Sequence, residues 1–284
     1  MNYRHGFHAG NFADVFKHAL LVRLLVYLGR KETPFRVIDT HAGEGAYDLS
    51  AEAAARTLEW RGGVGRLADL SGASADVRGL LAPYMDCLGP FDRQGKPACY
   101  PGSPTIAQKL MRPQDRAIFC ELRPDAFAAL RRRFARDARV KAIHIDGYVG
   151  LGAYVPPKER RGLALIDPPF EREGEFDAAF DAFDKSYAKW NSGIYALWHP
   201  SKSDRDVQKL HNRLRKSGIR RILQLSLSIG GNGEGLRRCG MAVVNPPFVF
   251  EEEARTLLAF LAPRLAQGEG AGFEIAWLAG EQAD

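Results

Sequence analysis

Short apolar runs recur along the chain with helical stretches between them, and this alternation leaves few folds open. FRVIDT at 35–40, RAIFCE at 116–121, VKAIHID at 140–146, GLALID at 162–167 and GIYALWH at 193–199 read as buried strands. IRRILQLSLSI at 219–229 and CGMAVVN at 239–245 make seven. Helical stretches fall at 14–28, 124–136, 176–190, 203–217 and 251–265. The first reads as an amphipathic helix, with Asp14 near its start and Gly29 just past its end. Phe176, Phe180, Phe183, Tyr187 and Trp190 step by three and four, which reads as a core stripe on one helix face. Such alternation predicts an α/β fold with a mostly parallel sheet covered on both faces.

The last two strands are joined only by GGNGEGLRR at 230–238. A parallel crossover needs about a dozen residues, so these strands are expected to pair antiparallel. Seven strands ending in that hairpin match the Rossmann-like sheet of class I methyltransferases. Segment 47–102 interrupts the pattern; it is rich in Ala, Gly and Pro and reads as a small, mainly helical subdomain inserted into a single domain spanning 1–284. The 284 residues suffice for a large core without staples.

Composition narrows the function classes. No apolar run approaches the roughly 18 residues of a membrane span. The N-terminal MNYRHGFHAGNF lacks an apolar signal core, so a cytoplasmic location is expected. Cys87, Cys99, Cys120 and Cys239 are far apart and form no C-x-x-C pair, which speaks against a zinc ribbon or disulfide scaffold. A net charge of +6 permits an anionic partner such as nucleic acid without requiring one. Neither a G-x-x-x-x-G-K-[S/T] phosphate loop nor a G-x-S-x-G elbow occurs. Cys120 sits within a strand and reads as core rather than as a nucleophile.

Three constellations carry chemistry. In VIDTHAGEGAY at 37–47 a strand ends at Asp39 and the chain turns through Gly43 and Gly45, so backbone can approach a ligand at the strand's carboxyl end. Alone this is also how any tight turn is made. Glu121 ends the next strand, where nucleoside sites place an acid on the ribose hydroxyls. It lies far beyond the usual spacing of about 20 residues, and an insertion the size of 47–102 accounts for the excess. Asp146-Gly147 follows the third strand in the same way.

The sharpest is Asp167-Pro168-Pro169-Phe170, ending the fourth strand and resembling the [D/N/S]-P-P-[Y/F/W] motif of amino-methyltransferases. An exocyclic amine is a poor nucleophile because its lone pair is delocalised into the base. The Asp167 carboxylate and the Pro168 carbonyl can both accept its hydrogen bonds and aim the lone pair outward. The prolines fix φ, and Phe170 offers a face to a flipped base. Four such residues in isolation would read as a strand terminator; the strand context and the glycine loop upstream change that. A second match, Asn245-Pro246-Pro247-Phe248, falls on the seventh strand, away from the first and fourth strands that should hold donor and amine. The catalytic role is therefore assigned to Asp167.

RHGFHAGNFADVFKH, DTHAGEGAY, YPGSP, the Glu121 strand end, IDGY and LIDPPF occur in the order of one family. On these motifs the chain resembles the bacterial ribosomal RNA large subunit methyltransferase J family from residue 2 to about 280. The resemblance implies methylation of N6 of one adenine in 23S rRNA by S-adenosylmethionine, on naked or precursor rRNA, and the protein is expected to act as a monomer. It further implies that His18, His41, Gly43, Ser103, Glu121, Asp146 and Gly147 bind the cofactor, with Asp167 catalytic beside Pro168 and Phe170. Tyr3 would touch the RNA, and His5 would lie near the active-site mouth. Phe170 is Tyr in some relatives, and either ring can stack.

His5, His8 and His18 lack a partnered cysteine or glutamate at metal spacing, so no metal is expected. Arg131, Arg132, Arg133 and Arg136 cluster on one predicted helix, and Lys209, Arg213, Arg215, Lys216, Arg220 and Arg221 form a second group. Both could position RNA phosphates or simply be solvated faces. A DNA adenine-N6 methyltransferase shares D-P-P-F, although no duplex-recognition domain is evident. A nucleic-acid-binding module with a dead site is disfavoured by the intact glycine loop, Glu121 and Asp167.

Overall fold

The computed structural model describes residues 4–280. In chain order these form α1 (Phe12–Gly29), β1 (Arg36–Asp39), β2 (Ala46–Tyr47), α2 (Glu52–Thr57), α3 (Ala75–Leu88), β3 (Tyr100–Pro101) and α4 (Ser103–Leu110). Next come β4 (Arg116–Glu121), α5 (Pro124–Phe134), β5 (Val140–His144), α6 (Gly147–Tyr154), β6 (Gly162–Ile166) and α7 (Glu175–Lys189). The C-terminal third adds β7 (Ile194–Pro200), α8 (Asp204–Lys216), β8 (Ile222–Ile229), β9 (Arg238–Val244), α9 (Phe250–Leu265) and β10 (Ala271–Ala279).

The main sheet has the order β10-β8-β9-β7-β6-β1-β4-β5. Strands β5, β4, β1, β6 and β7 are mutually parallel, and β9 enters antiparallel between β7 and β8. This is the class I methyltransferase arrangement, with the hairpin of the last two expected strands in place. The chain fills the β4–β5 side of β1 first and then crosses to β6. The strand order therefore reverses between β1 and β6, where open α/β sheets form their ligand crevice.

The sheet has eight strands rather than the expected seven. The eighth, β10, pairs antiparallel with β8 and forms the edge. Its alternation Phe273, Ile275, Trp277 is a strand signal, but Gly272, Ala276 and only partial burial dilute it, as is common at an edge.

Helix α1 departs more strongly from expectation. It is not amphipathic: Phe12 through Leu25 and Leu28 are all buried, including Asp14, Lys17, His18 and Arg23. It runs against α3, α4, α9 and the sheet, so every face has a neighbour. A buried helix can carry charges only where each finds a partner. Asn11 caps it by accepting from the Asp14 amide, and Arg23 Nε donates to Glu253 at 2.8 Å.

The segment from 47 to 102 holds α2, two short 3₁₀ turns and α3. Its ends are drawn together by β2 and β3, which pair antiparallel through Ala46–Pro101 and Tyr47–Tyr100. Trp60, Val64, Leu67, Leu81 and Tyr84 are buried and continue the core that surrounds α1. A second core cluster, including the expected stripe residues Phe180, Phe183 and Trp190, lies on the other face of the sheet.

The strand directions place the two Pro-Pro motifs at opposite ends. Because β9 runs antiparallel to β7, Asn245 emerges beside the start of β7, where its Nδ2 donates to the carbonyls of Asn191 and Gly193 at 2.8 Å each. Asp167 follows the finish of β6, at the carboxyl edge.

Candidate active site

A cavity of about 800 Å³ opens at the carboxyl edge of the parallel strands. The loops after β1, β4, β5, β6 and β7 contribute to its walls, together with the start of α1 and parts of the 47–102 segment. His5, His18, His41, Gly43, Ser103 and Glu121 all line it, as do Asp146, Gly147, Asp167, Pro168 and Phe170. Tyr3 lies outside the described residues.

The glycine loop after β1 adopts the conformation its sequence suggests. Gly43 and Gly45 have φ of +60° and +82°, the left-handed region that favours glycine. The Gly43 amide donates to Glu121 Oε2 at 2.8 Å, while Glu121 Oε1 accepts from the Arg123 amide at 2.7 Å. The buried Glu121 carboxylate is thus pinned across the loop, at the rim of the crevice. Gly147 is needed for a different reason: a Cβ there would come within 2.1 Å of the Thr40 carbonyl oxygen. Asp146 caps α6 by accepting from the Tyr148 and Val149 amides at 2.9 and 3.2 Å.

Burial favours the neutral form of two histidines in this wall, His18 and His41. His18 Nδ1 pairs with the Tyr100 hydroxyl at 2.7 Å, and burial pushes its pKa down to about 3. His41 Nδ1 pairs with the Thr40 hydroxyl at 2.7 Å, and burial lowers it to about 4. Ser103 opens α4 and donates through Oγ to Asp39 Oδ2 at 2.7 Å. Burial is the main cause raising Asp39 to about 7; the Ser103 hydrogen bond opposes it and the charge of Asp167 adds to it.

Beyond Asp39 lies the D-P-P-F turn. Phe170 is itself left-handed, with φ of +50°, which is unusual for a bulky residue. Its ring sits 4.6 Å from Phe176 and 6.0 Å from Trp198, centroid to centroid. Lys17 Nζ reaches Asp167 Oδ2 at 2.6 Å and Asp14 Oδ1 at 3.1 Å. Asp14 Oδ2 in turn pairs with His5 Nε2 and accepts from the Gly10 amide, both at 2.9 Å. Burial would raise the Asp14 carboxyl, but His5 and Lys17 outweigh it and hold it well below the usual carboxylate range. The His5 ring lies 4.8 Å from that of Tyr47. A chain of polar contacts therefore runs from Asp167 through Lys17 and Asp14 to His5.

Lys17, Asp14 and Asp39 were not assigned to the site from sequence. Reading α1 as amphipathic gives Lys17 a solvated face, whereas its side chain is buried. An Asp-x-x-Lys pair on a helix that is apolar all round was the available signal.

Among the described residues no group of three or more His, Cys, Asp or Glu side chains forms a metal site. None of the described helices is long and apolar enough to cross a membrane. The second basic group is partly tied up within the fold: Lys209 and Arg213 pair with Asp177 at 2.6 and 2.9 Å. In the loop between β8 and β9, Arg237 Nε donates to the Gly230 carbonyl at 2.9 Å, and Glu234, Gly235 and Leu236 face the cavity.

The family model described as ribosomal RNA large subunit methyltransferase D, RlmJ, matches residues 32–279. The ribosomal RNA large subunit methyltransferase J of Escherichia coli (strain K12) is 36% identical over 283 residues, covering 99% of this chain and 100% of that protein. Its counterpart in Haemophilus influenzae is 36% identical over 284 residues with the same coverage. A crystal structure of a protein from Legionella pneumophila superposes with a TM-score of 0.87 at 31% identity, covering 97% of this chain and 99% of that one. The full-length matches and the shared fold lead to one conclusion: the chain belongs to the RlmJ family of ribosomal RNA large subunit methyltransferases.

Proposed function

We propose that this protein methylates the exocyclic N6 of one adenine in 23S rRNA, on naked or precursor rRNA, with S-adenosylmethionine as the donor. The observation that carries this reading is the placement of Asp167-Pro168-Pro169-Phe170 across the β1/β6 crevice from the glycine loop. The relatives' names specify ribosomal RNA, and no feature of the fold favours the DNA alternative.

The residues present suit the donor. Gly43 and Gly45 leave backbone bare in a left-handed turn, and Gly147 keeps the wall near Thr40 free of a side chain. Glu121 would accept from the ribose hydroxyls, with its carboxylate already oriented by two amides. Ser103, His18, His41 and Asp146 would complete that half of the pocket. The neutral imidazoles can accept or donate without placing another cation beside a sulfonium. S-adenosylmethionine supplies an electrophilic methyl group on that sulfonium.

The other half handles the base. Lys17 occupies Asp167 Oδ2, which leaves Oδ1 to accept a proton of the N6 amine. The Pro168 carbonyl would accept the second. With both hydrogens directed into the protein, the nitrogen lone pair is turned away from the ring and toward the donor side. Phe170, braced by Phe176 and Trp198, would stack on the base. Lys17 acts here as a positioning residue for Asp167, and Asp14 holds Lys17. His5 ends this chain of polar contacts, and Tyr3 is expected to meet the RNA.

The whole chain is read as one catalytic unit with 47–102 as an inserted helical portion, acting as a monomer in the cytoplasm and without a metal. The reading is tested with labelled donor and three substrates: unmodified 23S rRNA transcript, the same RNA with the target adenosine replaced, and duplex DNA. Methyl transfer is expected to the first alone, recovered as N6-methyladenosine. Transfer to DNA, or transfer surviving the replacement, would refute it.

A further inference from the structure

We propose that Arg66, Arg172 and Lys202 form a clamp for the RNA phosphates that flank the target nucleotide. This inference rests on the RNA-methyltransferase reading above. It places the principal backbone contact outside the two basic groups, the arginine cluster around α5 and the α8 group.

A base buried against Asp167 must leave its helix, and enzymes that act on bases extrude them for this reason. The flanking phosphates cannot follow into the crevice, so they stay at its mouth. The three residues stand there from three separate elements: Arg66 in the inserted segment, Arg172 just after the D-P-P-F turn, and Lys202 between β7 and α8. All three are exposed, yet all line the same cavity as Asp167. The side chains of these three make no ion pair with the described residues.

Other cations near the mouth are committed. Lys17 is held by two carboxylates, Arg237 by the Gly230 carbonyl, and Arg123 by Asp125. The acids are largely committed too. Glu59 pairs with His8 and Asn11, Glu121 with two amides, and Glu175 with the Tyr148 hydroxyl. These hydrogen bonds leave the carboxylate charges in place, so what sets Arg66, Arg172 and Lys202 apart is that no carboxylate among the described residues pairs with them. On α8, by contrast, Lys209 and Arg213 already neutralise Asp177. Arg131 and Arg132 on α5, and Arg136 just past its end, do not line the cavity.

The test uses the full-length protein and a 23S rRNA transcript. RNA affinity is measured across a salt series for wild type, for R66Q/R172Q/K202Q, and for the charge-matched R131Q/R132Q/R136Q. Each phosphate contact contributes about 0.7 to 0.9 to the slope of log affinity against log salt. The clamp variant is therefore expected to bind RNA on the order of tenfold to a hundredfold more weakly, with a slope shallower by about 2. Donor binding by calorimetry reports whether it is folded. If the triple variant binds no donor, the singles R66Q and K202Q are read instead, each expected to flatten the slope by about 0.7 to 0.9. An unchanged slope, or a larger loss in the α5 variant, overturns the clamp. Wild-type protein that methylates no rRNA overturns the underlying reading, a result separate from any effect of the clamp substitutions.

Discussion

Replacing Lys17 with methionine should separate the fold from the chemistry. Lys17 Nζ lies 2.6 Å from Asp167 and 3.1 Å from Asp14, and its side chain is 6% exposed. Methionine keeps the length and apolar stem but removes the charge. The buried Asp14 and the half-buried Asp167 then face each other without their cation. Asp14 retains His5 and the Gly10 amide, whereas Asp167 loses the partner that orients it. Breaking a buried ion pair costs about 3–5 kcal/mol of stability. A hydrogen bond to a charged group is worth about 1.5–3 kcal/mol, so turnover should fall roughly 10- to 150-fold if that bond orients Asp167 in the transition state. The assay is single-turnover methyl transfer to 23S rRNA, with donor and RNA affinity measured separately on protein shown to be folded by thermal melting. The expected pattern is a lower rate with both affinities near wild type. In addition, K17M/D167N should be more stable than K17M, because the second change removes the uncompensated charge. Turnover within twofold of wild type, or no recovery in the double variant, would refute the coupling between Lys17 and Asp167.

Glu121→Ala should weaken donor binding tenfold to a hundredfold, from a charged hydrogen bond worth about 1.5–3 kcal/mol, with RNA affinity little changed; equal donor affinity by calorimetry would contradict the ribose role. Asn245→Ala removes two side-chain bonds to the Asn191 and Gly193 carbonyls at a left-handed backbone position, so it should cost about 1–3 kcal/mol of stability while the folded protein still methylates. Loss of turnover with intact folding and donor binding would instead make the second motif catalytic. The pH dependence of stability has two opposing parts. His18, His41 and His199 have folded values of about 3, 4 and 4, below the ordinary 6.5, so they take up protons on unfolding and stability is lost as pH falls from about 6.5 toward 4. Asp39, raised to about 7 from 3.8, releases its proton on unfolding and loses stability as pH rises through that range. Asp39→Asn should therefore steepen the rise in urea-unfolding free energy between about pH 4 and 6.5, and a flattened profile would contradict these assignments.

Much of this was legible in the sequence because parallel strands buried on both faces read as uninterrupted apolar runs. The seven expected strands appear at their places, and every described residue nominated for the site lines the same cavity. Local chemistry made that possible: Gly43, Gly45 and Gly147 report backbone conformation or close approach, and Asp167-Pro168-Pro169 reports a strand end. What the sequence hid depends on three-dimensional neighbours. The solitary edge strand β10 is half exposed, so its alternation competes with glycine and alanine. Helix α1 looked two-faced because Asp14, Lys17, His18 and Arg23 break up its leucines and valines. Their partners are Asp167, Tyr100 and Glu253, far along the chain, and no local pattern records a contact between residues 17 and 167. The structure places Asn245 away from the cavity for a reason other than distance along the sheet: an antiparallel strand delivers its end to the opposite edge.

The most direct test of the central claim compares Asp167→Ala and wild type on unmodified 23S rRNA, with donor binding measured on the same preparations. Wild type is expected to form N6-methyladenosine at one position. The variant is expected to bind donor with near-normal affinity and to transfer no methyl group above background. Near-normal turnover by folded Asp167→Ala would contradict the account, because the amine would then be oriented by something other than the carboxylate at the end of β6.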